Sequence, residues 1–377
     1  MIVKVLDMNR IITTTRRAGP DGTATKSNSV WSSVASGSIS RAPGLSLAVA
    51  IAVVATFVGR MFPLIGGPVT GIVLGVLIAT LIKPGDRLKP GIKTSSKFLL
   101  QVSVVILGSQ LSLTQVVRVG FDSLPVMVGT LAICLIAAYF IGRWMGVIGD
   151  LRTLIGVGTG ICGGSAIAAV TPVIGAAEVA VTYAISTVFL FNIAAVLAFP
   201  VIGHALGMSQ HSFGLFAGTA VNDMSSVVAV STTYGTESAN YAVVVKLART
   251  LLIIPICLGL AAMVERKTRA DARRTVDGTA AASTATRVRV HRLVPWFLIG
   301  FLLAAAANSA GLIPAGAHHG LSATSLFLIT VALSAIGLST DLPGLRRTGP
   351  RPVILGATLW VIVSLASLGL QLATGTL

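Results

Sequence analysis

Eleven apolar runs of 17–26 residues recur along the chain, at 43–59, 66–82, 95–113, 123–141, 151–170, 178–202, 212–231, 239–264, 293–313, 322–341 and 352–372. As a helix rising ~1.5 Å per residue, a run of that length can cross a hydrocarbon core of about 30 Å. The expected fold class is therefore an all-α polytopic membrane protein with about 11 transmembrane helices. Composition agrees, with 54% hydrophobic and only 11% charged residues.

The placement of charge supplies a topology. In a soluble protein a net charge of +16 would suggest nucleic acid. Here the cations sit between apolar runs, so no nucleic-acid partner is expected and the lipid bilayer is the surrounding. With the N-terminus in the cytoplasm, inner segments hold 24 of the 28 Lys and Arg, and outer segments hold only Arg60 and Arg118. That asymmetry follows the positive-inside rule and puts the C-terminus outside. The polar residues 1–42 read as a disordered cytoplasmic tail with no cleaved signal peptide. Residues 265–292 read as a charged, flexible cytoplasmic linker between segments 1–8 (43–264) and segments 9–11 (293–377). Cys134, Cys162 and Cys257 have neither pairing nor metal-ligand spacing.

One run is anomalous. Residues 156–172 hold five glycines and a closing proline, with Thr159, Cys162, Ser165 and Thr171 among them. Glycine costs ~1 kcal/mol against alanine in a helix interior. Irregular backbone survives at membrane depth only where protein or a watery cavity satisfies it. The stretch reads as a broken helix beside a binding cavity.

Two self-similarities suggest a carrier built from repeats. Runs three and four align with runs ten and eleven at an offset of 227, matching Val104 to Val331, Leu111 to Leu338, Ser112 to Ser339, Pro125 to Pro352, Val126 to Val353 and Gly129 to Gly356. By the charge topology these copies are inverted. Residues 158–171 also align with 218–231, with five identities, which implies a second broken helix. The same topology makes those two runs parallel, whereas inverted repeats require antiparallel. Either one of them is re-entrant, or the second repeat is permuted in the chain.

Ionisable groups at membrane depth are costly and by default functional. Asp223 lies near the middle of run seven beside Asn222, Ser225 and Ser226, and Lys246 and Arg249 share one face of run eight. In one reading Asp223 couples to an ion, H⁺ or Na⁺, while the two cations balance substrate charge. In the other, acid and cations form a structural ion pair and Lys246 snorkels outward. The break at Gly158, Thr159, Gly160, Cys162, Gly163, Gly164 and Ser165 offers backbone N–H groups and a helix N-terminus, which favour a small anionic substrate. Asn192, Gln101 and Gln110 read as interhelical hydrogen bonds, and Glu178 as interfacial. Gly158–Gly163 matches G-x-G-x-x-G without a βαβ unit around it, so no dinucleotide is expected. No nucleophile elbow, H-E-x-x-H or Walker A pattern occurs. The expectation is a carrier without cofactor or metal rather than an enzyme, a pump, or a sensor or scaffold. Its oligomeric state is open, a homodimer included.

At Gly-Thr-Gly-Ile-Cys-Gly-Gly-Ser-Ala-Ile from Gly158, Gly-Thr-Ala-Val-Asn-Asp-Met-Ser-Ser-Val-Val-Ala from Gly218 and Val-Lys-Leu-Ala-Arg-Thr-Leu from Val245, the chain resembles the YeiH-type sulfate exporter family of bacterial inner-membrane proteins. The resemblance covers about residues 45–375. It implies a relation to bile-acid/sodium symporters and sodium/proton antiporters, with inverted five-helix repeats and two broken helices crossing at the site. It also implies transport of sulfate or an organosulfonate. Asn222 stands where many relatives carry histidine, so no proton relay is implied at that position.

Overall fold

The computed structural model describes residues 41–61, 66–82, 85–147, 149–274, 296–314, 316–340 and 349–377. All but two residues of the expected N-terminal tail, and the linker beyond Arg274, lie outside them. The described elements are helical, with no strand among the described residues.

The first helices are α1 (Ala42–Met61), α2 (Gly66–Ile82) and α3 (Lys89–Gly108). In α3 a π-turn occupies Ser95–Leu99. Thr94, Ser95 and Ser96 there turn their hydroxyls onto the carbonyls of Pro90, Gly91 and Lys93, a back-bonding that loosens the ladder. After a 105° bend comes α4 (Leu113–Asp122), where the sequence suggested a loop. A capping box of Ser112 and Gln115 starts it. Leu113, Val117 and Phe121 line one exposed face at helical spacing, as in a helix lying along an interface.

Next come α5 (Leu124–Trp144), α6 (Gly149–Gly160), α7 (Gly164–Ile174), α8 (Glu178–Ala205), α9 (Gln210–Ala220), α10 (Met224–Tyr234), α11 (Thr236–Leu251) and α12 (Ile253–Arg274). The chain closes with α13 (Trp296–Ser309), α14 (Ala317–Leu338) and α15 (Pro350–Thr374). Helix α12 runs on to Arg274, so the first ten residues of the expected linker are helical, in keeping with their Ala, Arg, Glu and Lys content. Among the described residues six helices are long and apolar enough to cross a membrane, α11 continuing into α12 counted as one, or seven if α3 and α4 also count as one span.

Runs five and seven do not cross as single helices. Each is broken into helices of 11 or 12 residues, α6/α7 and α9/α10. At ~1.5 Å per residue these reach about half of a 30 Å core. Each pair also turns back. Asp150 and Leu151 at the start of α6 border the same surface cavity as Ala177, Ala180 and Tyr183 at the start of α8. At the other pair, Tyr234 Oη donates to Met208 O at 2.5 Å, and Gln210 Oε1 accepts from Glu237 N at 3.1 Å. The first hairpin therefore stands on the start of α8 and the second on its end. With α8 28 residues long, they enter from opposite faces. This replaces the expectation of two parallel broken spans, and an offset of 60 carries one tip, residues 161–163, onto the other, residues 221–223.

The first self-similarity has a physical counterpart. Helices α3 and α14 are antiparallel, joined by Ser325 Oγ to Ser103 O at 2.9 Å and Gln110 Nε2 to His318 O at 3.3 Å. So are α5 and α15, where Leu370 packs on Gly129 and Leu355 on Gly142. Shifting Gly129 forward and Leu370 back by 227 gives 356 and 143, one residue from the second contact, as a local two-fold axis requires. Helices α1, α2, α3, α13 and α14 form one bundle, and α5 to α12 with α15 form another. They meet along an apolar seam in which Val69 and Ile72 of α2 and Leu333 of α14 join Val227, Val228 and Val230 of α10.

Candidate functional site

The two hairpin tips meet at the middle of α8. Gly163 has φ +68°, and a Cβ there would lie 3.1 Å from the Cβ of Asp223. Breaking two helices strands backbone polar groups, each costing about 1–3 kcal/mol if buried without a partner. Three side chains take them up. Asn192 Oδ1 accepts from the N–H groups of Asn222 at 3.2 Å and Asp223 at 3.1 Å. Lys246 Nζ donates to Ile161 O of the first tip at 2.7 Å and to Val221 O of the second at 2.8 Å. Arg249 Nη1 donates to Thr219 O.

Lys246 and Arg249 are both fully buried. Their charges sit where the inward halves α6 and α9 end, at the negative poles of those helices. Among the described residues no ion pair joins either cation to Asp223. The sequence reading had these cations either facing substrate or salt-bridged to Asp223. The ion pair with Asp223 and the outward snorkelling of Lys246 are corrected. The cations hold broken backbone, and the guanidinium of Arg249 keeps Nε and Nη2 without partners.

The outward halves α7 and α10 begin at the same point, and their N-termini look into a cavity of about 310 Å³. Gly164 and Ser165 contribute from α7, and Asp223, Met224 and Ser225 from the start of α10. Asn192 and Gln101 add amides, while Ser96 and Lys97 of the π-turn stand at its rim. Asp223 caps α10, its Oδ2 accepting from Ser225 N at 3.0 Å and from Ser225 Oγ. The first turn of α7 has no side-chain cap, because Gly163 precedes it. Gly164 and Ser165 of that turn line the cavity with no side chain capping their N–H groups. The rest of the lining comes from the middle of α3, the first half of α8, the start of α13 and the end of α14. Exposed Lys97 thus borders a cavity that also takes in both tips.

Of the expected site residues, Gly164, Ser165, Asp223 and Ser225 line the cavity. Gly158 packs on Ile167 and Val188, and Gly160 on Leu131. Thr159, Cys162, Asn222 and Ser226 are buried away from it, Cys162 accepting from Ser165 Oγ at 2.9 Å. Asn192 was read as a helix tie, and its Oδ1 makes one, yet it also lines the cavity. Ser96 and Lys97 went unnoticed because they end a basic loop in the sequence, and only the π-turn carries them to the rim.

Residues 43–356 match the model of the family described as Conserved hypothetical protein 698. The chain is 42% identical over 337 residues to a UPF0324 membrane protein of Streptococcus pyogenes serotype M3, covering 88% of this chain and 97% of that one. It is 41% identical over 336 residues to one of Streptococcus mutans, covering 87% and 96%. A UPF0324 membrane protein of Fusobacterium nucleatum is 38% identical over 352 residues, covering 88% and 98%. Matched along most of its length by that model and by these membrane proteins, the chain belongs to the Conserved hypothetical protein 698 family.

Proposed function

We propose that the protein is a secondary carrier that moves a small anion across the bacterial inner membrane by alternating access. The observation that carries this reading is the meeting of two opposed hairpins at a cavity that residues next to both tips line. Irregular backbone at membrane depth is tolerated where it lines such a cavity. The charge arrangement favours an anion. Lys246 and Arg249 neutralise the negative ends of α6 and α9, leaving the positive end of α7 to act on the cavity. Asp223, in the same cavity, is the group that couples substrate to H⁺ or Na⁺. The resemblance to sulfate exporters points to an oxyanion, and the 24 inner cations support an N-terminus in the cytoplasm and a cavity open inward.

Flux into proteoliposomes tests the reading, using sulfate, sulfite, taurine and carboxylates under imposed proton and sodium gradients. Uptake of at least one anion, dependent on Asp223, is expected. Absence of flux for every anion, with protein correctly inserted, rejects it.

A further inference from the structure

Most of the cavity lining is not built for a bare inorganic dianion. Leu100 and Val104 of α3, Ile185, Val188 and Phe189 of α8, and Phe297 of α13 contribute apolar side chains to it. A doubly charged, fully hydrated ion would lose water against them, with Ser96, Lys97 and Gln101 of α3 offering only partial replacement, a desolvation that protein sites avoid. Asp223 adds a second objection, since its carboxylate faces the same space and repels a dianion about twice as strongly as a monoanion. One end of the cavity is polar all the same. The unclaimed N–H groups of α7 are there. So is the amide of Asn192, itself 2% exposed. Its Oδ1 is held by two backbone N–H groups, which fixes the amide orientation and leaves Nδ2 free to donate toward the cavity.

We infer that the substrate is an amphipathic organic monoanion, a sulfonate or carboxylate head on an apolar body. The head meets the α7 N-terminus and Asn192, and the body lies along Leu100, Val104, Ile185, Val188, Phe189 and Phe297. This deepens the anion-carrier reading and rests on it. About 310 Å³ is at the low end for ligand pockets, which suits a head with a short chain or a single ring. Lys97 at the exposed rim attracts the anion without being buried with it.

A homologous series separates this inference from the reading beneath it. Binding of methane- to hexanesulfonate to the full-length protein is measured by titration calorimetry in detergent, beside sulfate and the matching alkylammonium ions. Affinity should rise about fourfold per methylene until the cavity is filled, with butanesulfonate well above sulfate. In Phe189→Asn the gain per methylene should shrink, because part of the apolar wall is gone. A flat series with sulfate as tight as butanesulfonate overturns the inference and leaves the anion carrier standing. Tighter binding of the ammonium ions, or no anion bound at all, overturns both.

Discussion

At the scale of single residues, Lys246 and Gly163 shape the crossing, Lys246 by bonding both tips and Gly163 by letting them approach. Lys246→Met removes the hydrogen bonds that Nζ makes to Ile161 O and Val221 O in the two breaks. Two orphaned buried carbonyls cost about 2–6 kcal/mol together. A clear fall in the unfolding temperature of the purified protein is expected. Were the ammonium instead a substrate ligand, the variant would keep its unfolding temperature and lose only affinity. Gly163 answers to geometry. An alanine at φ +68°, ψ −134°, a conformation that essentially only glycine adopts, carries about 1–3 kcal/mol of backbone strain, and its methyl crowds Asp223. At Gly164 an added Cβ meets nothing within 4 Å. Gly163→Ala should therefore melt several degrees below Gly164→Ala, and equal melting of the two would remove Gly163 from the account. That Lys246 and Arg249 lie in a membrane segment was legible in the sequence; the full burial of Lys246, which one reading sent outward, and the partners of both were not. Side chains announce charge, whereas backbone carbonyls freed by a break leave no mark in the residue string.

At the scale of elements, the breaks themselves were legible, because glycine clusters and an acid have little reason to occur in mid-helix. Whether the chain crosses or turns back was not. The links at 171–177, 203–211 and 232–238 contain no Lys or Arg, so the positive-inside count is blind to them. Two re-entrant hairpins also remove two crossings, which restores parity and leaves every basic segment on its original side. The error cancels, and the charge split of 24 to 2 fits either topology. Cysteine labelling resolves them. Ala177 follows the first hairpin and Ala205 precedes the second, and both are exposed. With hairpins, Ala177→Cys reacts from the face that carries Arg143, and Ala205→Cys from the opposite face. With eleven straight crossings the two sides exchange, so one membrane-impermeant maleimide added to vesicles of known orientation decides.

At the scale of the whole molecule, the cavity lies between two bodies. Its rim and one wall belong to the bundle of α1, α2, α3, α13 and α14, and its floor belongs to the hairpin bundle. The floor is rigid, since Lys246 and Asn192 bind both tips into one piece through helices of the same bundle. The seam between bundles is different in kind. It holds Val69, Ile72, Val227, Val228 and Leu333, side chains that slide without leaving hydrogen bonds unmade. Alternating access is therefore expected as movement of the hairpin bundle, tips intact, along the wall that contains α3. A cross-link between the bodies should arrest it. Ser96 and Ser165 face the same cavity from opposite bundles. With Cys134, Cys162 and Cys257 replaced, Ser96→Cys and Ser165→Cys joined by a cleavable bismaleimide should abolish flux, and cleavage should restore it. A tether confined to one bundle, between Ser103→Cys and Ser325→Cys on the antiparallel pair α3 and α14, should leave flux largely unchanged. Flux that survives the first tether would mean that access alternates by local movement of the tips, against the bonds Lys246 makes to both.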